Sequence, residues 1–189
     1  MGSGAFAAFA PKLYRYFALT LAALFGHYEH LEHNFSNSIF PAASFNCGPQ
    51  TVALDHTDFG NLSHGLCALT ALGSYDHKQG GHLILFGLKL VVQFPPGSTA
   101  LIPSGFLRHG NTPIQDGETR MSIAQYAAGG LFRWVAYGFQ SAKSLLKTKS
   151  GKLLKKQIDK EAGQRWRDGL AMFSTVKGLP ADLAEAFVS

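Results

Sequence analysis

The order of apolar and polar residues divides the chain into a helical start, a strand-rich middle and a basic, helical end. In the first zone, residues 1–45, apolar side chains recur at helical spacing between Leu13 and Phe25. Pro11 suits the first turn of a helix, where its missing N–H is not needed. We therefore predict a supporting N-terminal helix that begins near Pro11.

The middle zone, residues 46–140, has the pattern of β structure. Short apolar runs are separated by Gly, Pro, Asn and Asp at close intervals, and turn signals occur at residues 80–81 and 95–97. The predicted strands lie in the runs TVALDH, LCALTALGSY, HLILFGLKLVVQF, STALIPS and TRMSIAQYAA. Successive short strands of this kind predict a sandwich, a jelly roll or a barrel.

The last zone, residues 141–189, combines leucines with many lysines. Over residues 141–173 this pattern predicts one or two amphipathic basic helices, broken near Gly151. We expect the three zones to form one integrated domain, in which helices flank a mainly β core.

The net charge of +5 changes this picture because it is unevenly placed. Residues 1–140 hold seven Lys/Arg and seven Asp/Glu, whereas residues 141–189 hold ten Lys/Arg and five Asp/Glu. The whole excess lies in the last zone, which indicates a polyanionic partner. The alternative is an ordinary solvated helix face whose leucines pack on the sheet.

Cysteine content and hydropathy exclude several classes of protein. Cys47 and Cys67 are too few for a disulfide scaffold and are typical of thiols in a reducing compartment. No run approaches the roughly 20 apolar residues of a membrane span. No basic segment precedes the first apolar stretch, so no secretory signal is predicted. We expect an intracellular protein, nuclear or cytoplasmic, without a membrane partner; its oligomeric state stays open.

Three side chains of the middle zone suggest a metal site. His56 and Asp58 lie two positions apart, and His109 follows later in the chain. Two imidazoles and one carboxylate on one face of a metal leave other positions open, as in non-haem Fe(II) oxygenases. Residues i and i+2 of a strand share a face, and a rolled sheet can bring a remote strand close.

Further polar residues follow the last histidine. Arg120 and Ser122 fall on the next predicted strand, where a buried guanidinium could bind a carboxylate bidentately and the hydroxyl could add a hydrogen bond. Asp55, Asn61 and Asn111 are candidates to orient the histidines. The sequence does not choose among these three.

Together these residues give the pattern H-x-D … H-x10-R-x-S, carried by His56, Asp58, His109, Arg120 and Ser122. With this pattern, residues 50–127 resemble the Fe(II)/2-oxoglutarate-dependent dioxygenases. The resemblance implies a double-stranded β-helix, or jelly roll, at residues 46–140. It implies Fe(II) held by the two histidines and the aspartate, 2-oxoglutarate held by the arginine and the serine, and O2 as the oxidant. Succinate and CO2 would be released.

A narrower resemblance rests on longer stretches. The segments NSIFPAASFNCGPQTVALDHTDFGN, ALGSYDHKQGGHLILFGLKLVVQFPPGSTALIPSGFLRHGNTPI and QYAAGGLFRW are similar to the fungal branch of the TET/JBP base dioxygenases. This implies DNA as partner and a methyl group of 5-methylcytosine or N6-methyladenine as the oxidised group. A duplex base would have to flip out of the stack, and phosphates would need cations. The candidate substrate contacts are Phe59, Asn61, Arg108, Arg133 and Trp134.

Two alternatives remain beside the DNA enzyme. The same iron chemistry could act on a protein side chain or a small molecule, for which a basic surface is not required. A non-enzymatic β-helix binding module is the other alternative, and the intact ligand set argues against it. The basic last zone and its aromatic residues favour DNA.

Overall fold

The computed structural model describes residues 2–187 of the chain. They divide into two compact units: Phe40–Ala128 with Gly2, and Ser3–Ile39 with the residues from Gly129 onward. The first unit carries the strands, and the second carries the helices that precede and follow them in the chain. The three-zone division at residues 45 and 140 stays a prediction.

The strand-bearing unit contains seven short strands. They are β1 (Ala42–Asn46), β2 (Cys67–Ser74), β3 (Leu83–Leu85), β4 (Leu90–Val92), β5 (Thr99–Ile102), β6 (His109–Asn111) and β7 (Thr119–Tyr126). One antiparallel sheet has the order β1-β7-β2-β5, and the other has the order β4-β3-β6. The first strand begins within residues 1–45, the zone in which the pattern indicates only a helix.

The connections between the two sheets define the fold class. After β2 in the larger sheet, the chain makes β3 and β4 in the smaller one, returns for β5, leaves for β6 and returns for β7. Strands that are neighbours in sequence therefore mostly lie in opposite sheets, as in a jelly roll. The predicted double-stranded β-helix core is confirmed.

Apolar side chains from both sheets pack together inside this unit. The buried cluster contains Ala71 of β2, Leu83 of β3 and Ile102 of β5, with Phe94 and Leu107 from connecting segments. Because alternate residues of a strand point to opposite faces, the residues between these inward positions point away from the core. The core thus fixes the strands that carry the polar site.

The prediction of a strand at TVALDH is wrong. Residues 51–55 form no strand, and only His56 pairs, through an isolated bridge to His109. The side chain of Asn111 replaces part of the missing ladder, since its Oδ1 accepts from the Ala53 amide at 2.8 Å. An amide side chain can satisfy backbone groups as a strand would, so apolar alternation alone did not distinguish the two.

The longest predicted run, HLILFGLKLVVQF, folds as a hairpin rather than one strand. Leu83–Leu85 and Leu90–Val92 pair with each other, and a 3₁₀ turn at Phe86–Leu88 joins them. Lys89 completes the reversal in the left-handed region, with φ of 55°. No turn-forming pair such as Asn-Gly marks this position, so the periodicity missed it.

The helical unit contains α1 (Gly2–Phe9), α2 (Pro11–His27), α3 (Gly129–Ala136), α4 (Ala142–Leu145), α5 (Lys149–Lys160), α6 (Ala162–Ala171) and α7 (Leu179–Phe187). The helix predicted to begin near Pro11 is confirmed as α2. Its Phe17 ring lies 5.1 Å from that of Phe6 and 4.9 Å from that of Phe132. Lys12 pairs with Asp182 at 3.1 Å.

Residues 141–173 form three helices, α4, α5 and α6, where the pattern predicts one or two, and α7 follows within the described residues. The break falls between Leu145 and Lys149, and Gly151 lies in the first turn of α5. A Cβ at Gly151 would lie 1.9 Å from the carbonyl oxygen of Leu145, so only glycine fits here. This residue allows close helix packing instead of ending a helix.

Among residues 2–187, none of the helices combines the length and the apolar character that a bilayer crossing needs.

Candidate metal centre

The two histidines of the predicted triad lie opposite each other on neighbouring segments. The amide of His56 donates to the carbonyl of His109 at 3.1 Å, and the amide of His109 donates back to the carbonyl of His56 at 2.9 Å. Their ring centroids are 4.3 Å apart. A reciprocal pair of backbone hydrogen bonds therefore sets the spacing of the two imidazoles.

Asp58 reaches the same point by a different route from the predicted shared strand face. Its amide donates to the carbonyl of Ser104 at 2.9 Å, which anchors the turn after His56. Asp58 Oδ1 lies 3.6 Å from His56 Nε2, and Asp58 Oδ2 lies 3.9 Å from His109 Nε2. One possible ligand atom from each of the three residues lies within 4.8 Å of the other two.

Backbone carbonyls fix the orientation of both imidazoles. His56 Nδ1 lies 2.7 Å from the carbonyl oxygen of Leu54, and His109 Nδ1 lies 2.9 Å from that of Leu107. A carbonyl only accepts, so each Nδ1 carries a proton, and in a neutral imidazole the lone pair is then on Nε2. Both lone pairs belong to the nitrogens that face Asp58. Sequence reasoning missed these partners because every residue offers a carbonyl.

Asn61 and Asn111, two of the candidate orienting residues, have different hydrogen-bond partners. Asn61 Nδ2 donates to Asp58 Oδ2 at 3.3 Å and to the hydroxyl of Ser104 at 3.1 Å. Asn111 holds the irregular segment at Ala53 and contacts neither imidazole among the hydrogen bonds of the described residues. The histidines thus rely on carbonyls, while the aspartate relies on an amide side chain.

A buried thiol lies behind the aspartate. Ser104 is 1% exposed. Its hydroxyl is hydrogen-bonded to the thiol of Cys67 and accepts a hydrogen bond from the side-chain amide of Asn61. Burial raises the pKa of Cys67 to about 12, the negative charge of Asp58 adds to this, and the Ser104 hydrogen bond opposes it. The Cys67 thiol is therefore neutral at ordinary pH, and it packs as an uncharged side chain in the interior.

Asp55 and Arg108 form an ion pair beside the histidines. Each precedes a triad histidine, and the Arg108 guanidinium donates to both carboxylate oxygens of Asp55, with Nε at 3.0 Å from Oδ1. This hydrogen bonding raises the pKa of Arg108. The pair ties together the two segments that carry the histidines, although exposed pairs usually contribute little to stability.

The triad opens into a cavity of about 470 Å³. Its wall includes Asn46, Leu69, Leu83, Phe94, Arg120 and Ser122. The volume suits a small-molecule ligand. Apolar side chains from both sheets and a few convergent polar groups thus surround one space next to the three possible ligands.

Arg120 brings a positive charge into the wall of this cavity. It is 4% exposed, its Nη1 lies 3.4 Å from the carbonyl oxygen and 3.3 Å from the hydroxyl of Thr51, and its buried Nε has no hydrogen-bond partner. Burial lowers the pKa of Arg120, and the adjacent Tyr75 opposes that shift. A buried guanidinium with an unused donor fits a carboxylate ligand.

Ser122 lies in the same wall and already has a partner. The register places Asn46 opposite Ser122, and Asn46 Nδ2 donates to the serine hydroxyl at 2.9 Å. The β1–β7 pairing that brings Asn46 against Ser122 is visible only in the fold. The serine hydroxyl still has its own proton to donate.

The five candidate substrate contacts are placed differently from one another. Phe59 is 92% exposed and lines the cavity, as does Asn61. Arg108 is exposed and paired with Asp55. Arg133 and Trp134 belong to the helical unit on α3, where the Trp134 indole donates to the hydroxyl of Tyr28 at 3.2 Å. None of these last three lines the cavity as the described residues form it.

The donor set matches the group that the resemblance implies. Two neutral imidazoles and one carboxylate are ligands for non-haem iron and leave part of its coordination sphere open. The unpartnered Arg120 Nε is a donor that a diacid beside the metal could satisfy. The residues present therefore fit both Fe(II) and 2-oxoglutarate.

No protein-family model matches the chain, and no curated protein matches its sequence. Among solved structures, NgTET1 in complex with 5mC DNA is 20% identical over 50% of this chain and 36% of its own, with a TM-score of 0.42. The chain thus spans about a third of that protein.

Two other solved structures are more distant. The viral collagen prolyl hydroxylase vCPH from Paramecium bursaria Chlorella virus-1, in its 2OG complex, is 13% identical over 59% of this chain and 70% of its own, with a TM-score of 0.34. A cupin from Desulfovibrio desulfuricans is 14% identical over 51% of this chain and 95% of its own, with a TM-score of 0.29. Likenesses this low do not assign an activity to the chain.

Proposed function

We propose that this chain is an Fe(II)- and 2-oxoglutarate-dependent dioxygenase that oxidises a methyl group on a DNA base. The observation that carries the proposal is the convergence of His56, Asp58 and His109 on one point, beside a cavity that holds the buried guanidinium of Arg120. A purely structural role would not require two imidazoles, each oriented through its Nδ1–H, to direct Nε2 toward the same carboxylate.

In this proposal the three side chains hold the iron. Nε2 of His56 and Nε2 of His109 supply lone pairs, because their Nδ1 protons are committed to the carbonyls of Leu54 and Leu107. Asp58 supplies the carboxylate, and the Asn61 amide engages Oδ2 while Oδ1 faces His56. With 2-oxoglutarate and O2, bound Fe(II) supplies the power to oxidise an unactivated C–H bond.

Arg120 and Ser122 would hold the cosubstrate. The guanidinium is desolvated in a wall with Leu69, Leu83 and Phe94, so its pairing with a carboxylate is screened little by water. The Ser122 hydroxyl accepts from Asn46 and can donate its proton to the same carboxylate. These residues orient the diacid and keep bulk water from it.

The substrate is proposed to be 5-methylcytosine or N6-methyladenine in DNA, as the resemblance to the fungal TET/JBP branch implies. Phe59, next to Asp58 in the chain and 92% exposed at the cavity, offers a ring for stacking on a flipped base. The surplus charge of residues 141–189 supports a polyanionic partner.

One observation favours a different substrate for the same chemistry. Among the described residues that line the cavity, Arg120 is the sole cation, and Arg108 is neutralised by Asp55. A hydroxylase of a protein side chain or a small molecule needs no phosphate contacts at this wall. This is the second candidate function.

Mass spectrometry of nucleosides tests the proposal. The purified protein, with Fe(II), ascorbate and 2-oxoglutarate, is incubated with duplexes that carry 5-methylcytosine, N6-methyladenine or no modification. We expect succinate and an oxidised or demethylated base from one modified duplex, and neither from the Asp58→Ala variant. Succinate formation that no duplex stimulates, with no altered base, would favour the second candidate. No succinate under any condition would contradict the dioxygenase itself.

A further inference from the structure

Helix α5 carries four lysines on a single face. Lys149, Lys152, Lys156 and Lys160 are all exposed, and their spacing of three, four and four residues places them in one row. With a rise of about 1.5 Å per residue, this lysine stripe extends over roughly 16 Å. It belongs entirely to the helical unit.

The charges of the lysine stripe are not neutralised. Within residues 2–187, no ion pair engages any of these four ammonium groups. The acidic residue of the helix, Asp159, is instead held by Lys155 at 2.6 and 2.7 Å. Lys155 therefore does not contribute a free charge, whereas the four lysines of the stripe do. Their mutual repulsion is a cost that a polyanion would relieve.

The helix that presents the stripe is fixed at its start. The Thr148 hydroxyl accepts from the Gly151 amide at 3.0 Å and caps the first turn, and Gly151 packs directly against Leu145. The surface is thus ordered before any partner binds, so binding pays little for folding the helix. On the following helix, Arg165 and Arg167 are also exposed.

The structure points to a phosphate backbone as the partner, and we propose that the lysine stripe binds duplex DNA without regard to sequence. A helix lying on a bilayer needs bulky apolar residues along its length. On α5 the exposed large apolar residues are Leu153 and Leu154, which span a single turn, while the lysines span three. The exposed surface of α5 therefore carries more positive charge than apolar area along its length. The proposal rests on DNA as the substrate in the proposed function.

The salt dependence of DNA binding measures the number of phosphate contacts. Each phosphate contact contributes about −0.9 to the slope of log K against log salt, so each lost contact makes the slope shallower by about 0.9. Binding of a short fluorescent, unmodified duplex is followed by anisotropy between about 50 and 200 mM salt. For the variant with Lys149, Lys152, Lys156 and Lys160 changed to Gln, we expect the slope to become shallower by about 3.6.

A charge-matched variant is the control. Changing Lys78, Lys143, Lys147 and Lys177 to Gln removes the same charge from positions off the stripe. We expect this control to change the slope by less than half as much. Equal slopes for both variants would overturn the proposal, because they would mean that net charge alone attracts DNA. Circular dichroism melting of each variant verifies that the helices still fold.

Leucine variants separate DNA from a membrane. Leu153→Gln should leave duplex affinity unchanged, since a phosphate backbone does not use this side chain. Cosedimentation with phosphatidylcholine vesicles, with and without phosphatidylserine, completes the test. Vesicle binding that requires both the lysines and Leu153, without the expected change in DNA slope, would overturn the proposal in favour of an anionic bilayer.

The assay uses protein without iron or 2-oxoglutarate, so it is independent of turnover. A chain that oxidises a DNA base but keeps its slope in the stripe variant would contradict the surface alone. A chain whose slope becomes shallower as expected, with no base oxidised, would contradict the proposed function alone.

Discussion

The candidate metal centre and the lysine stripe of α5 both concentrate ionisable side chains, but they do so in opposite ways. In the centre, each imidazole and the carboxylate has a named hydrogen-bond partner that fixes its direction. On the stripe, no ion pair holds any of the four lysines among residues 2–187, and only the helix sets their spacing. The first arrangement defines one geometry, whereas the second defines only a charge density.

This difference determines how each region responds to substitution. A ligand that is lost from a convergent set cannot be replaced by its neighbours, so the effect should be large and specific. A lysine lost from a row removes one of several equivalent contacts, so the effect should be small, additive and dependent on salt. Substitutions in the metal centre therefore give the clearest test of this difference between the centre and the lysine stripe.

The largest effect is expected for His109→Ala. This imidazole is 4% exposed and supplies one of three ligands, so Co(II) or Fe(II) affinity should fall by more than about 100-fold, beyond what the loss of an outer partner causes. Isothermal titration with Co(II) measures it. His82→Ala, which removes a histidine that bonds Thr112 instead, is the control and should bind metal normally. Unchanged metal affinity in His109→Ala would remove the basis for the site.

An intermediate effect is expected for Arg120→Gln. Loss of a charge-assisted pair with a carboxylate should weaken 2-oxoglutarate binding by roughly 10- to 100-fold. The 2-oxoglutarate affinity of Arg120→Lys should lie between those of the wild type and Arg120→Gln, because lysine keeps the positive charge but cannot donate two parallel hydrogen bonds. Titration of 2-oxoglutarate into the Mn(II)-loaded protein measures both. Arg108→Gln removes an exposed arginine as the control, and equal weakening there would contradict the role of Arg120.

A smaller effect is expected for Asn61→Ala. Without the amide that holds Asp58 Oδ2, the carboxylate can rotate away, and metal affinity should fall by about 10-fold. Co(II) titration again measures the change. Ser104→Ala should act through the same contact, so the double variant should lose less than the sum of the two singles. Fully additive losses would show that the two residues act independently.

Part of the centre was predictable because its residue types carry the chemistry. His56, Asp58 and His109 carry metal-binding groups in a recognisable order, and Arg120 is a cation that strand patterning places inside the fold. The structure brings them to one cavity. For the fold, the short apolar runs between turn residues predicted a sandwich, a jelly roll or a barrel, and the resemblance to the dioxygenases implied the jelly roll among them.

The remaining features depend on contacts that a linear pattern does not express. The Asn46–Ser122 contact follows from strand register, and the Asp55–Arg108 pair follows from the bridge between the histidines. TVALDH looked like a strand because its apolar residues alternate, whereas Asn111 supplies its hydrogen bonds from the side. Gly151 looked like a break because glycine usually is one, whereas here it admits the backbone of Leu145.

The reciprocal amide–carbonyl exchange between His56 and His109 has a consequence for how the centre can come apart. The residues that offer the two nitrogens are also the ones that stitch their segments together. Any fluctuation that separates the segments parts both nitrogens in the same event, so half-assembled forms with one histidine displaced are disfavoured. Capture and release of an ion at this point are thereby tied to a single local opening of the backbone.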